Sequence, residues 1–173
     1  MIDESQLLHA FQRLERPLYS VLYRWLWQAQ DCQDLIQDAF LRVWDQRARV
    51  AADSLDALIY TTALNLARNR LRWRSLWPFA EQTIDTPLDA ALGPQAQAER
   101  RQREARLKQA LDQLDRDSRN LVLLSECAGL TTEELCRVLG WPPGTVASRK
   151  HRALARLRTL LQAWDVQEEI DAE

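Results

Sequence analysis

Thr145, Ser148, Arg152 and Arg156 recur at i, i+3, i+7 and i+11. At about 100° per residue, that spacing lines hydroxyl and guanidinium groups along one side of a helix, with Arg149 at its border. Val146, Ala153, Leu154, Leu157, Leu160 and Leu161 fall on the other side. Such a front can donate hydrogen bonds to phosphate oxygens and to base edges in a DNA major groove. A second row, Thr61, Asn65, Arg68 and Arg72, has the same character at i, i+4, i+7 and i+11. Its arginines can track phosphates, and exposed aromatic rings close by could stack on unpaired bases. Trp73 and Trp77 follow that row. Trp73 falls on the apolar side of the period and is assigned to the core. Asp34 and Asp38 have the i, i+4 spacing of a carboxylate pair. No His, Lys or metal ligand converges with them, so general acid–base chemistry is disfavoured. The sequence has no Gly-rich phosphate loop and no G-x-S-x-G elbow. No catalytic residue and no enzymatic activity are expected.

Cys32, Cys127 and Cys136 are odd in number and lack CxxC spacing, which argues against a disulfide framework or a zinc site. Buried reduced thiols are the expectation, with no metal and no cofactor. The net charge of −2 conceals segregated blocks. Ala57 to Ala80 carries four arginines and no acid, and Leu135 to Trp164 carries six basic residues and no acid. Ser75 to Ala98 holds only the acids Glu81, Asp85 and Asp89, and five acids fill the tail from Asp165 to Glu173. Two basic stretches on an acidic background suggest two contacts with a polyanion. No run approaches the roughly 18 apolar residues of a membrane span, and the start lacks the pattern of a secretory signal. A cytoplasmic protein without membrane insertion or a small-molecule substrate is expected.

The elements that must carry these rows are helices, since 4 Gly and 6 Pro in 173 residues leave too few turn formers for a many-stranded fold. Pro17 suits the first turn of a second helix. Asp31 suits the N-cap of a third, whose buried stripe is Leu35, Ile36, Ala39, Phe40, Val43 and Trp44. After a connector near Ala48 to Ala52, Asp53 or Ser54 can cap a helix striped by Leu55, Leu58, Ile59, Thr62, Ala63 and Leu66. Trp77 to about Gln95 holds Pro78, Pro87, Gly93 and Pro94 without a helical stripe, and reads as a mobile linker. Gly129 suits the turn after a helix, Thr131 and Glu134 form a T-x-x-E capping box, and the short helix ends at Gly140. Pro142, Pro143 and Gly144 then open the long basic helix. Short helix, tight turn and basic second helix describe a helix-turn-helix. The expected fold is all-α: two small helical domains joined by a flexible linker, the second containing the helix-turn-helix. The divisions fall at residues 1–76, 77–98 for the linker, 99–164, and 165–173 for an acidic tail outside the helical core.

Leu139-Gly140-Trp141-Pro142-Pro143-Gly144-Thr145-Val146-Ala147-Ser148-Arg149 resembles the LG-x-P-x-GTV-x-SR signature of the extracytoplasmic-function sigma factors, small specificity subunits of bacterial RNA polymerase. Leu111, Leu114 and Arg119 match the approach to it. The segment from Asp31 through Asp34, Leu35, Gln37, Asp38 and Phe40 to Trp44 is similar to that family's D-x-x-DL-x-Q-[ED]-x-F-x-x-W. The resemblance runs from about Leu18 to Leu160, with both signatures in order. It implies a transcription initiation factor that binds core RNA polymerase and directs it to promoter DNA. By the same resemblance, Asp34, Leu35, Gln37, Asp38 and Phe40 dock on the polymerase. The row Thr61, Asn65, Arg68 and Arg72 takes the −10 element, and Thr145, Ser148, Arg149, Arg152 and Arg156 take the −35 element. An anti-sigma factor is a further partner that the family suggests. Asn69, Asp115 and Lys150 depart from the family pattern; Lys150 lies near the apolar stripe, where its stem could pack with its ammonium in water. The alternatives are a stand-alone helix-turn-helix regulator, which binds a two-fold site without polymerase, and an adaptor that binds no DNA.

Overall fold

A computed structural model of the chain describes residues 1–76 and 93–171, with side chains up to residue 163. Seven α-helices occur among the described residues, and no strand. They are α1 (Glu4–Leu26), α2 (Ala29–Asp45), α3 (Leu55–Ser75), α4 (Pro94–Asp112), α5 (Arg116–Val122), α6 (Thr132–Leu139) and α7 (Pro143–Asp171). Helices α1, α2 and α3 pack on one another, and α5, α6 and α4 pack around the start of α7. The sequence linker lies almost wholly outside the described residues. Its last residues do not, because α4 begins at Pro94, which occupies the first helical turn where its missing N–H costs nothing.

The first block is built on α1. Asp3 and Gln6 close a reciprocal cap at its start, each accepting from the other's backbone N–H at 2.8 and 3.0 Å. Pro17 does not begin a second helix. It sits inside one helix of 23 residues, whose buried face runs through Leu14, Leu18, Val21 and Leu22 on both sides of the proline. Burial of that continuous face outweighs the one backbone bond proline removes. Trp27 ends α1 in a left-handed conformation, with φ 55°, and its N–H donates to the Tyr23 carbonyl at 2.7 Å. Such backbone is costly for a bulky residue, and the 2% exposure of Trp27 shows what holds it there.

Two expected caps are absent. Gln28, not Asp31, precedes α2. Asp31 lies in the first helical turn and faces α3, where it pairs with Arg74 and, at 3.5 Å, with Arg70. A carboxylate near a helix N-terminus that also meets two guanidiniums from a neighbouring helix gains more than a cap alone supplies. Ser54 precedes α3, but its hydroxyl donates back to the Ala51 carbonyl at 3.0 Å and caps nothing. The expected stripe of α2 is present up to its last member: Leu35, Ile36, Ala39, Phe40 and Val43 are buried, with Cys32 beside them, but Trp44 is half-exposed. Burial, with Asp31 close by, pushes the Cys32 thiol up to about 12, so it stays protonated. Cys127 and Cys136 are half-buried free thiols.

In the second block, α5 carries an instructive departure. Asp115, one of the departures from the pattern that the sequence resembles, precedes α5 with φ −62° and ψ 157°, which is backbone a proline would also adopt. Its carboxylate accepts from the N–H groups of Asp117 and Ser118 at 3.1 and 3.0 Å and from the Ser118 hydroxyl at 2.6 Å. The side chain therefore replaces rigidity with an N-cap. Hydrogen bonds from Ser118 hold its carboxyl below the usual carboxylate range. A carboxyl whose folded value is lowered stabilises the fold above its unfolded value and loses that contribution as pH falls through the folded one. Asp115→Ala should cost about 1 kcal/mol at neutral pH. In thermal melts of wild type and variant, the gap between midpoints should close under acid conditions.

After α5 the chain widens into a π-helical turn over Leu123–Cys127, closed by the Ala128 N–H on the Leu123 carbonyl at 3.2 Å. Gly129 follows at φ 69°, a left-handed conformation that favours glycine. The capping box is formed as expected: the Thr131 N–H donates to Glu134 at 2.7 Å, and the Glu134 N–H donates to the Thr131 hydroxyl at 3.3 Å. Gly140, at φ 70°, ends α6 and turns the chain into α7. No Gly or Pro follows Gly144, and α7 runs on to Asp171. The start of the acidic tail is thus a continuation of the helix rather than a break in it.

Candidate nucleic-acid interface

Helix α7 presents the first basic row. Val146 and Ala153 are buried against the second block, which turns the opposite side outward. Ser148, Arg152 and Arg156 are exposed, and Thr145 and Arg149 are half-exposed. The Ser148 hydroxyl donates to the Thr145 carbonyl at 3.3 Å, and the Arg152 Nε donates to the Ser148 carbonyl at 3.4 Å. These bonds fold both side chains along the helix front and leave the outer guanidinium nitrogens of Arg152 available. Arg149 is held differently. Its guanidinium lies 4.5 Å from the ring centre of Trp141 and 3.6 Å from Asp117. Trp141 is a positioning residue for Arg149 that the spacing of the row does not reveal. The signal was in the turn: a tryptophan placed directly before the prolines stands at the base of α7. Lys150 does not simply snorkel. Its ammonium pairs with Glu126 on the π turn at 3.0 Å, which holds the Glu126 carboxyl below its ordinary range.

Helix α3 carries the second row, and the row is not uniform. Asn65, Arg68 and Arg72 are exposed. Thr61 is half-buried, its hydroxyl shared between the Ala57 carbonyl at 2.8 Å and the Val138 carbonyl of α6 at 3.3 Å. Thr61 thus differs from the exposed remainder of the row, because the second block covers that turn. Trp73 is a correction: it is not core but 64% exposed, with Leu76 at 66% beside it. The helical period places Trp73 on the apolar side, but among the described residues no neighbour buries it, although Arg74 beside it reaches Asp31 of α2. Asn69, exposed too, completes a surface of amide, guanidinium and indole over the last two turns.

Helix α2 divides the remaining site residues. Leu35 and Phe40 are 4% and 6% exposed, and Phe40 meets Phe11 edge-on with centroids 5.1 Å apart. They build the core and offer a partner no direct contact, which corrects their assignment to docking. Asp34 and Gln37 are exposed and Asp38 is half-exposed, paired with Arg42 at 3.2 Å. Leu41, 62% exposed, lies one turn beyond Gln37 on the same side. Sorting α2 by angle rather than by motif would have found it.

The family model described as "Sigma-70 region 2" matches residues 10–76, and "Sigma-70, region 4" matches residues 104–157. The chain is 31% identical over 146 residues to RNA polymerase sigma factor NccH of Alcaligenes xylosoxydans xylosoxydans, spanning 79% of this chain and 76% of that one. The chain is an RNA polymerase sigma factor of the sigma-70 family, extracytoplasmic-function group. The fold resembles that of CnrH solved in complex with the cytosolic domain of CnrY, with a TM-score of 0.70 at 23% identity over 93% of this chain and 90% of that one. It also resembles sigma factor RpoE solved with the anti-sigma factor NepR from Bartonella quintana, with a TM-score of 0.66 at 23% identity over 90% and 96%. As a sigma factor the protein binds core RNA polymerase and directs it to promoters, and the reading as a stand-alone regulator is not favoured. Among the described residues of the sigma factor, no helix is long and apolar enough to cross a membrane.

Proposed function

We propose that this sigma factor distributes its task over three surfaces. Asp34, Gln37 and Asp38 of α2, with Leu41, dock on core polymerase. Asn65, Arg68 and Arg72 of α3, with Thr61 at the inner end, take the −10 element, and Trp73 offers an exposed ring to an unpaired base. Thr145, Ser148, Arg149, Arg152 and Arg156 of α7 take the −35 element. The divisions at residues 1–76, 77–98, 99–164 and 165–173 then separate region two, the linker, region four and the tail. The sigma factor performs no chemistry of its own and acts in the cytoplasm, where polymerase and promoters are. The neighbours' assembly with CnrY and with NepR supports an anti-sigma factor as a further partner. The observation that carries this reading is the α7 front, on which exposed Ser148, Arg152 and Arg156 form a row backed by buried Val146 and Ala153. Run-off transcription with purified core polymerase on genomic promoter fragments tests it. Chain-dependent initiation at discrete start sites is expected. Its absence on every template would defeat the reading.

A Trp73→Ala variant probes the added contact. It should leave the folding stability within about 0.5 kcal/mol of wild type, as an exposed substitution does. It should slow promoter opening by about five- to a hundredfold, equivalent to the loss of one stacked base. Permanganate footprinting of the opened strand reads the rate.

A further inference from the structure

Arg68, Arg70, Arg72 and Arg74 stand at every second position near the end of α3. A strand would send them all to one side, but a helix divides them. At about 100° per residue, Arg68 and Arg72 lie within about 40° of each other, as do Arg70 and Arg74, and the two pairs fall on opposite sides. Arg68 and Arg72 are exposed, whereas Arg70 and Arg74 turn towards α2 and are partly buried. The same angles put Trp73 about 60° round from Arg70, one turn away, and about 100° from Arg74. The second pair therefore flanks the exposed ring.

No acid follows Asp56 within α3, so the countercharge comes from α2. Asp31 turns one carboxylate oxygen to Arg74 and the other to Arg70 at 3.5 Å. Its side chain is 15% exposed, and those of Arg70 and Arg74 are 40% and 29% exposed. Salt screens such a cluster less than it screens a pair on the open surface. One carboxylate thus occupies both guanidiniums that stand beside the ring. Left free, they would reach the phosphates on either side of a base stacked on Trp73. Phosphate contacts raise affinity for every sequence alike and carry no sequence information.

We propose that Asp31 is a positioning residue that sets the selectivity of the −10 surface: it withholds Arg70 and Arg74 from DNA, so that the strand meets only Arg68, Arg72 and the open face of Trp73. The proposal rests on the reading of α3 as the −10 surface. Asp31 opens the segment of α2 that resembles the polymerase-docking signature, yet its own side chain acts on the DNA side, through α3.

The test uses the full chain and a fluorescent mixed-sequence single-stranded DNA of about 20 nucleotides, a length that spans one binding surface with room to spare, titrated at several salt concentrations. Asp31→Asn keeps the size of the side chain and removes the charge that holds the two guanidiniums. It should bind this DNA at least about threefold more tightly at low salt, with a salt slope steeper by about 1.4, at about 0.7 for each added phosphate. A merely structural role has the opposite sign, since a loosened α3 loses contacts. Unchanged or weaker binding by folded Asp31→Asn overturns the proposal. With core polymerase, the preference of Asp31→Asn for a promoter over the same fragment with a scrambled −10 element should fall at least about threefold. An undiminished preference overturns the selectivity role. Adding Arg70→Gln and Arg74→Gln to Asp31→Asn should return affinity and slope to the wild-type values, and a gain that survives arises elsewhere and overturns the proposal. Arg70→Gln alone is decisive even if Asp31→Asn fails to fold, because Arg74 stays on Asp31. A withheld Arg70 contributes nothing to DNA binding, so its loss should leave the slope within about 0.2 of wild type, whereas Arg72→Gln should lower it by about 0.7. Equal losses from the two overturn the proposal. No loss from Arg72→Gln defeats the −10 reading and the proposal with it, while a loss from Arg72→Gln without a gain from Asp31→Asn defeats the proposal alone.

Discussion

Gln37→Ala combined with Asp38→Arg should weaken binding to core polymerase by roughly 30-fold or more while the sigma factor stays folded. Both side chains stand off the buried stripe of α2, and neither packs into the core formed by Leu35, Ile36, Ala39, Phe40 and Val43. Reversing a charge that meets a complementary partner, and leaving that partner unpaired, costs about 2–5 kcal/mol in a desolvated interface. The intramolecular cost is much smaller. Asp38 pairs with Arg42 across one helical turn at 3.2 Å, with both groups about half exposed, and such pairs contribute a few tenths of a kcal/mol. The two effects differ enough to be told apart: a titration against core enzyme reads the first and a thermal melt the second. Leu41→Ala supplies an independent check, because an exposed leucine that a partner buries should contribute about 1–2 kcal/mol to docking and almost nothing to folding. Unchanged core-enzyme affinity in both variants would remove α2 from the interface.

The same helix shows what could be read from residue order and what could not. The stripe from Leu35 to Val43 was legible because burial repeats with the helical period. The motif that spans it mixes core and surface: the stripe already puts Leu35 and Phe40 inside and leaves Gln37 and Asp38 as the exposed contacts, but neither stripe nor motif singles out Leu41. The helix-turn-helix was legible almost entirely: Thr131, Glu134 and Gly140 act through bonds to residues within one turn, and such bonds depend only on local order. Misreadings collect where a distant element competes for a side chain. Asp31 would have capped α2 had Arg70 and Arg74 not been opposite, and Pro17 would have begun a helix had one apolar face not continued through it. Trp73 was assigned to the core because periodicity reports which side of a helix a residue occupies. It carries no information on whether a neighbour reaches that far along α3. The contact of Arg119 with Arg24 and Trp25 joins residues about 95 positions apart, and no spacing rule anticipates it.

On the proposed reading of α7 as the −35 surface, base reading and phosphate binding fall to different arginines. Arg149 is restrained before DNA arrives, with its guanidinium on Trp141 and near Asp117. A guanidinium already ordered loses less freedom on binding, and its planar fork suits the two acceptors of a guanine edge. Arg152 points outward with no acid paired to it among the ion pairs of the described residues, as a phosphate contact requires. Arg149→Ala should therefore cost roughly 1–3 kcal/mol and relax preference at a single −35 position. Arg152→Ala should weaken all −35 sequences alike and lower the salt slope by about 1. Trp141→Ala distinguishes positioning from contact. If the ring only holds Arg149, its loss should reduce discrimination at the same base pair as Arg149→Ala, and the double variant should be little worse than Arg149→Ala alone. Polymerase-dependent binding across a panel of −35 variants at several salt concentrations measures all three. If the Arg149 and Arg152 variants fold normally and neither changes promoter use, α7 is not the reader of the −35 element.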